Sequence, residues 1–291
     1  MKKKIVVVGN CQARPLATAF EKLGDSVEVT AIAIVHLLKS EQFYQYHQHF
    51  EQADIIVSQR VANNYPCEFV QTDFLKNKYG SKVVVIVNLY FSGYNPDWCY
   101  LRIPEKGPLR GPMGDYHNKT ILKSWKKGFD VEQASELLLD YHNNMTYSIV
   151  KDQSLAELST REVNTDIRIT DFIQKNMFQE RLFFTFNHPS ASLLVEYAKR
   201  ILRYKCINYN EHLIDFGGAE PLSQFIPLVN PASGLPNGLT TSPHGMSFEV
   251  REDNVYLKSK KIYNLSELIE SFYFVYDSFS SQIHSLKNVG K

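Results

Sequence analysis

Short apolar runs recur along the first two thirds of the chain, and turn-forming residues punctuate them. Residues 5–8, 27–34, 54–58, 82–88 and 181–187 are rich in Val, Ile and Phe and read as strands. Between the first four lie stretches with helical spacing, at 15–23, 41–52 and 67–79. Gly24 and Gly80 stand just past two of them, where a helix commonly ends. Strands alternating with helices predict a parallel sheet joined by right-handed crossovers.

The fourth and fifth runs are separated by about ninety residues. That interval opens with a loop rich in Pro, Gly and aromatics at 90–114. Helical patterns follow at 115–127, 131–143, 147–162 and 170–176, with Asp130 an expected N-cap after Gly128-Phe129. Residues 190–204 form an amphipathic helix pattern. A Pro/Gly/Ser/Asn segment at 217–246 is of a length that reads as a functional lid or as a disordered loop. A hairpin around Asp253-Asn254 (247–250 with 255–257) and a helix at 265–286 close the chain. The predicted fold class is α/β: an open parallel sheet flanked by helices, with a large helical insertion at 90–180. Residues 1–215 are expected to be the core domain, and 216–291 a loop–hairpin–helix extension packed on it.

With 291 residues, the chain can bury one large core or two modest ones. A net charge of +1 supplies no global field for nucleic acid. No apolar run reaches the roughly 20 residues that span a bilayer. Lys2, Lys3 and Lys4 imitate the start of a signal peptide, but the apolar run behind them ends at Val8. These features predict a cytoplasmic protein. Cys11, Cys67, Cys99 and Cys206 form no C-x-x-C pair, so free thiols are expected. His47 and His49 face opposite sides of a helix, which suits no metal. Aromatic residues make up 13% of the chain, a high share that fits either aromatic-rich cores or carbohydrate-facing surfaces, with core packing the favoured reading.

The chemistry concentrates at the first strand's end, Val8-Gly9-Asn10-Cys11-Gln12-Ala13-Arg14-Pro15. Gly9 and Asn10 both tolerate positive φ, and Pro15 suits a helix's first turn. Cys11 then sits where a strand gives way to a helix, and the helix N–H groups there favour a thiolate or an oxyanion. The G-x-G-x-x-G spacing of a dinucleotide site is absent. In open parallel sheets, ligands bind beyond the carboxyl ends of the strands. Those positions hold Cys11 and Gln12, then Gln59 and Arg60, then Asn88, Leu89 and Tyr90, then Asn187, His188, Pro189 and Ser190. A thiol, an imidazole and several amides are the parts acyl transfer needs.

The segment 8–17 resembles the opening of the WcbI-type polysaccharide biosynthesis proteins, acetyltransferases implicated in capsule O-acetylation that bind coenzyme A. Ser58-Gln59-Arg60-Val61, Gly114-Asp115-Tyr116-His117-Asn118 and Phe186-Asn187-His188-Pro189-Ser190 continue the resemblance in order, over about 5–205. The arrangement is also similar to SGNH/GDSL hydrolases. Gly9-Asn10-Cys11 stands for their Gly-Asp-Ser elbow, Asn88 for their Asn, and His188-Pro189 for their His-Pro step. Thr185 departs from that pattern, since a triad Asp belongs three residues before the His.

The resemblance implies an O-acetyltransferase that uses acetyl-CoA and a saccharide acceptor, without metal or nucleic acid, alongside other polysaccharide-assembly proteins. Its expected catalytic residues are Cys11 as nucleophile, His188 as base, and Gln12 and Asn88 at the oxyanion, with His117 a rival base. Expected coenzyme A contacts are Asn10, Arg14, Gln59, Tyr90, Arg110 and His117. Arg102 and Lys106 are further phosphate candidates. Tyr90, Phe91, Tyr94, Trp98 and Tyr100 either stack on adenine or sugar rings or pack the insertion. Two other readings stand beside this one: a thiol esterase of SGNH-like architecture, and a non-catalytic module that binds coenzyme A or a glycan.

Overall fold

The computed structural model describes residues 2–211, 216, 218–235 and 242–286. In chain order the first elements are β1 (Lys3–Gly9), α1 (Ala13–Lys22), β2 (Val27–Ile34), α2 (Phe43–Gln52), β3 (Ile55–Gln59), α3 (Thr72–Tyr79) and β4 (Val83–Ile86). Then come β5 (Trp98–Tyr100), β6 (Arg102–Ile103), β7 (Gly107–Pro108), β8 (Tyr116–Asn118), α4 (Lys119–Lys126), α5 (Val131–Leu139), α6 (Tyr141–Asn144), α7 (Val150–Glu162) and α8 (Thr170–Asn176). The last are β9 (Phe183–Thr185), β10 (His188–Pro189), α9 (Ala191–Tyr204), β11 (His244–Arg251), β12 (Asn254–Ile262), α10 (Leu265–Ser278) and α11 (Ser280–His284).

The chain divides into two compact units. The first holds residues 1–90, 155–176 and 188–222; the second holds 91–154, 177–187 and 223–291. Much of the predicted insertion therefore shares a unit with the C-terminal segment.

The first unit is a four-stranded parallel sheet in the order β2-β1-β3-β4, flanked by helices. β-branched residues fill β1, β3 and β4 because both faces are covered, which is what a parallel sheet requires. Val6 and Val8 of β1 join Ile56, Val83 and Val85 in a cluster with Phe50 of α2 and Leu75 and Tyr79 of α3. α1 packs against α9 as well as β1 and β2.

The predicted fifth strand does not extend this sheet; β9 lies in the second unit. The free edge of β4 is already occupied. Val85 donates to Asp166 Oδ2 at 2.6 Å, and the Asp166 amide donates to the Val85 carbonyl at 2.8 Å. Just beyond the strand, the Tyr197 hydroxyl accepts from the Val87 amide at 2.9 Å. These groups satisfy the backbone that a further strand would have paired.

In the second unit, β5 pairs antiparallel with β8, and β6 with β7. The helix expected at 115–127 is thus shortened, because Tyr116–Asn118 is a strand. Asn118 caps α4, accepting from the Thr120 and Ile121 amides. Asp130 caps α5 as predicted, but Asp140 separately caps α6 and splits the helix expected at 131–143. The predicted terminal helix breaks at Phe279, and the β11–β12 turn sits at Glu252-Asp253, where Glu252 takes φ 50°. Phe91, Tyr94 and Trp98 are buried, so these three aromatics pack. Of the predicted loop at 217–246, Gly217 and 236–241 lie outside the described residues; Pro231–Ser233 is a helical turn and β11 begins at His244. No helix among the described residues is long and apolar enough to cross a membrane.

Phe50 is wholly buried among the rings of Tyr46, Phe69 and Tyr79. Phe50→Ala should lower unfolding free energy by about 3–5 kcal/mol, measured by urea denaturation. A loss under ~1 kcal/mol would contradict this packing.

Candidate functional site

The first unit brings Asn10, Cys11, Gln12, Arg14, Gln59, Asn88, Tyr90 and His188 into one body. The strand order reverses direction around β1, since β2 lies on one side and β3 on the other. The carboxyl ends of β1 and β3 therefore flank the switch point at which open sheets bind ligands.

A relay of buried amides ties these ends together. The Asn10 amide donates to Gln59 Oε1 at 2.8 Å, and Gln59 Nε2 donates to Gln12 Oε1 at 2.8 Å. Gln12 Nε2 in turn donates to the Leu89 carbonyl at 2.7 Å, while the Leu89 amide donates to Gln12 Oε1 at 3.0 Å. Backbone groups at both ends of the relay dictate which way each side-chain amide points. Gln12 and Gln59 are 1% and 5% exposed, so the side-chain amide of Gln59, expected to meet coenzyme A, is spent inside the protein.

The relay also explains Gly9. Neither Gly9 nor Asn10 takes a positive φ, contrary to expectation. A Cβ on Gly9 would stand 2.7 Å from Gln59 Oε1 and 2.9 Å from its Cδ, so glycine is needed for close approach. Asn10 makes the turn through its side chain: the Gln12 amide donates to Asn10 Oδ1 at 2.9 Å. That bond competes with the oxyanion role expected of the Gln12 N–H.

Cys11 is partly buried, immediately before the Gln12 N-cap of α1. Burial raises its pKa above the ordinary 9.0, and the Cys11 and Gln12 backbone N–H groups offset this only in part. Desolvation outweighs the helix end, so the resting group is a thiol rather than the expected thiolate. His188 is displaced in the opposite sense. Burial lowers its pKa to about 4, against a smaller raising effect from a hydrogen bond with the Leu222 backbone. Thiol and imidazole are both neutral at neutral pH.

Asn88 follows β4, and its oxygens face Arg161 of α7. One guanidinium nitrogen donates to Asn88 Oδ1 at 2.9 Å and to the Asn88 carbonyl at 3.2 Å. This fixes the amide so that Nδ2, its donor, has no partner among the described residues. Arg161 is a residue that sequence reasoning missed, because it lies 73 positions from Asn88 on an otherwise ordinary helix. Arg14 is exposed on the first turn of α1, and Tyr90 is partly buried at the end of the unit's first segment.

Arg110 and His117 belong to the second unit. Arg110 lies 3.6 Å from Asp115 on the rim of a cleft that also holds the Lys106–Asp253 pair at 2.7 Å. His117 is wholly buried. Nε2–H donates to the Leu109 carbonyl at 2.9 Å, which leaves Nδ1 to accept from the Tyr276 hydroxyl at 3.1 Å. Burial lowers its pKa to about 4. With both nitrogens occupied and no solvent exposure, His117 holds a core together rather than meeting a ligand as expected.

Three comparisons with known proteins bear on these residues. A family model described as polysaccharide biosynthesis enzyme WcbI matches residues 4–206, from β1 to just past α9. No curated protein matches significantly. A solved structure of WcbI, described as a polysaccharide biosynthesis enzyme in a native form without a disulfide bond between coenzyme A and one of its cysteines, superposes with a TM-score of 0.76. It is 24% identical, over 98% of this chain and 93% of that one, and so establishes the fold.

Gly9→Ala should displace Gln59, lowering the unfolding midpoint and exposing the Asn10 amide to rapid hydrogen exchange; an unchanged exchange rate would contradict the relay. The two histidines set a pH dependence. Unfolded, each imidazole binds a proton near the ordinary 6.5; folded, only near 4. The folded protein binds fewer protons between those values, so stability falls as pH drops across that window. Thermal melts from pH 7 to 4 should show this decline, with a shallower slope in His117→Gln.

Proposed function

The chain belongs to the WcbI family of polysaccharide biosynthesis enzymes, and from that premise we propose that it transfers an acetyl group from acetyl-CoA to a hydroxyl of a capsular or other surface saccharide, or of its precursor. The observation that carries this reading is Cys11, held at the end of β1 by the buried relay of Gln12 and Gln59. The coenzyme A named for the solved WcbI structure, in connection with a cysteine of that protein, supports the same donor here. Likeness to SGNH enzymes rests on Gly9-Asn10-Cys11, on His188-Pro189 and on the β2-β1-β3-β4 order. Acetyl-CoA as donor implies a cytoplasmic reaction.

The proposed chemistry runs through an acyl-cysteine. Cys11 Sγ attacks the thioester carbonyl as His188 accepts the thiol proton. The carbon–sulfur bond to coenzyme A breaks, and that proton passes to the departing thiolate. A saccharide hydroxyl then gives its proton to His188 and attacks the acyl-cysteine. The new ester forms, and Cys11 leaves and is reprotonated by His188. Neutral resting partners suit this sequence, because a buried ion pair need not be maintained between turnovers. The oxyanion donors are the Cys11 amide and Asn88 Nδ2, which Arg161 orients. A hydrogen bond with the Leu222 backbone takes the orienting place of the carboxylate that Thr185 does not supply.

Cys11→Ala should abolish transfer of labelled acetyl from acetyl-CoA to a glycan acceptor, a loss of at least about a thousandfold. His188→Ala should slow it by about a hundredfold or more. Full activity of Cys11→Ala would remove the nucleophile. Release of free acetate unaffected by added saccharide would make the protein a thioesterase.

A further inference from the structure

The first unit contains a cleft of about 440 Å³ that shares Asn88 and Arg161 with the roles above but whose remaining lining they leave unused. Its lining includes Arg60, Asn63, Thr72, Asp73, Asn88 and Arg161. Arg60 follows β3 directly and is exposed. Its guanidinium has no partner among the described residues. Among the described residues, Arg161 bonds only to the neutral oxygens of Asn88, and its Nε–H is shielded from solvent with no acceptor there. Several other arginines lie beside carboxylates: Arg110 beside Asp115, Arg200 beside Asp171, Arg251 beside Glu249. Among the described residues, neither cation of the cleft is in an ion pair. The single acid in its lining, Asp73, is held by Asn63. Positive charge exceeds negative, and a buried guanidinium donor is unspent, which is the arrangement that receives an oxyanion.

Position narrows the ligand. β3 neighbours β1, and β4 neighbours β3. At about 4.8 Å per strand, residues that follow β3 and β4 stand about 5–10 Å across the sheet from the end of β1. That span fits one sugar ring between a hydroxyl at Cys11 and a charged substituent in the cleft. The phosphates of an extended coenzyme A lie much farther from its thiol, at the end of the pantetheine arm. We propose that this cleft binds the anionic group, a phosphate or carboxylate, of an acidic acceptor saccharide. The acceptor assignment rests on the acyl-transfer reading; the anion site does not.

Calorimetric titration of inorganic phosphate into the full chain tests it, with and without saturating coenzyme A. One saturable site is expected, weakened about tenfold in Arg60→Gln and in Arg161→Lys and unchanged by coenzyme A. Arg60 is exposed, so Arg60→Gln should fold normally. Absence of saturable binding, or binding indifferent to Arg60→Gln, would overturn the site. Displacement of phosphate by coenzyme A would assign the cleft to the donor's own phosphates and overturn the acceptor assignment. Cys11→Ala separates the two ideas: full transfer activity of that variant in the acetyl-transfer assay would end the nucleophile reading, while its phosphate titration would still report on the cleft.

Discussion

The hydrogen-bonded pair Gln12–Gln59 is the constraint on which the functional edge of the sheet depends. Two neutral side-chain amides, almost without solvent exposure, join the backbone at the ends of β1, β3 and β4. Each bond closes a polar group that would otherwise be buried unmet, and an unmet amide costs roughly 1–3 kcal/mol. Interlocking makes the loss of any one member felt by the others. Gly9 has no side chain because this pair occupies the space, and Cys11 keeps its place because Asn10 on one side and Gln12 on the other are both engaged.

Electrostatics at the elbow follow from enclosure more than from the helix end. A helix N-terminus stabilises negative charge by typically 0.3–1 kcal/mol at the surface. Desolvation of a partly buried thiol works against it and prevails at Cys11. Burial of His188 likewise lowers its affinity for a proton. Burial opposes ionisation in both groups, so each rests neutral near neutral pH.

Strand-and-helix alternation was legible because period and punctuation are local: residues 27–34 form β2 and 170–176 form α8 as read. The elbow, too, was legible, since a β-branched run, a turn and a proline lie within eleven residues. The fate of the fifth run was not. Asp166 and Tyr197 decide it by satisfying Val85 and Val87, and nothing near 181–187 announces that competition. His117 misled for a related reason. Its neighbours in sequence are polar and turn-like, whereas its surroundings are Leu109 and Tyr276, the latter 159 residues away. Arg161 was silent because its partner, Asn88, is reached only through the fold. Side chains that act across long sequence separations leave no periodic mark.

The closure of the β4 edge by a carboxylate and a phenol has a bearing on how copies of this protein behave toward one another. An uncovered strand edge is a template on which a second chain can add its own strand. Here the amide and carbonyl of Val85 and the amide of Val87 are already bonded within the chain. Side chains serve as the stopper, so at Val85 and Val87 this edge offers a neighbouring strand little backbone to pair with.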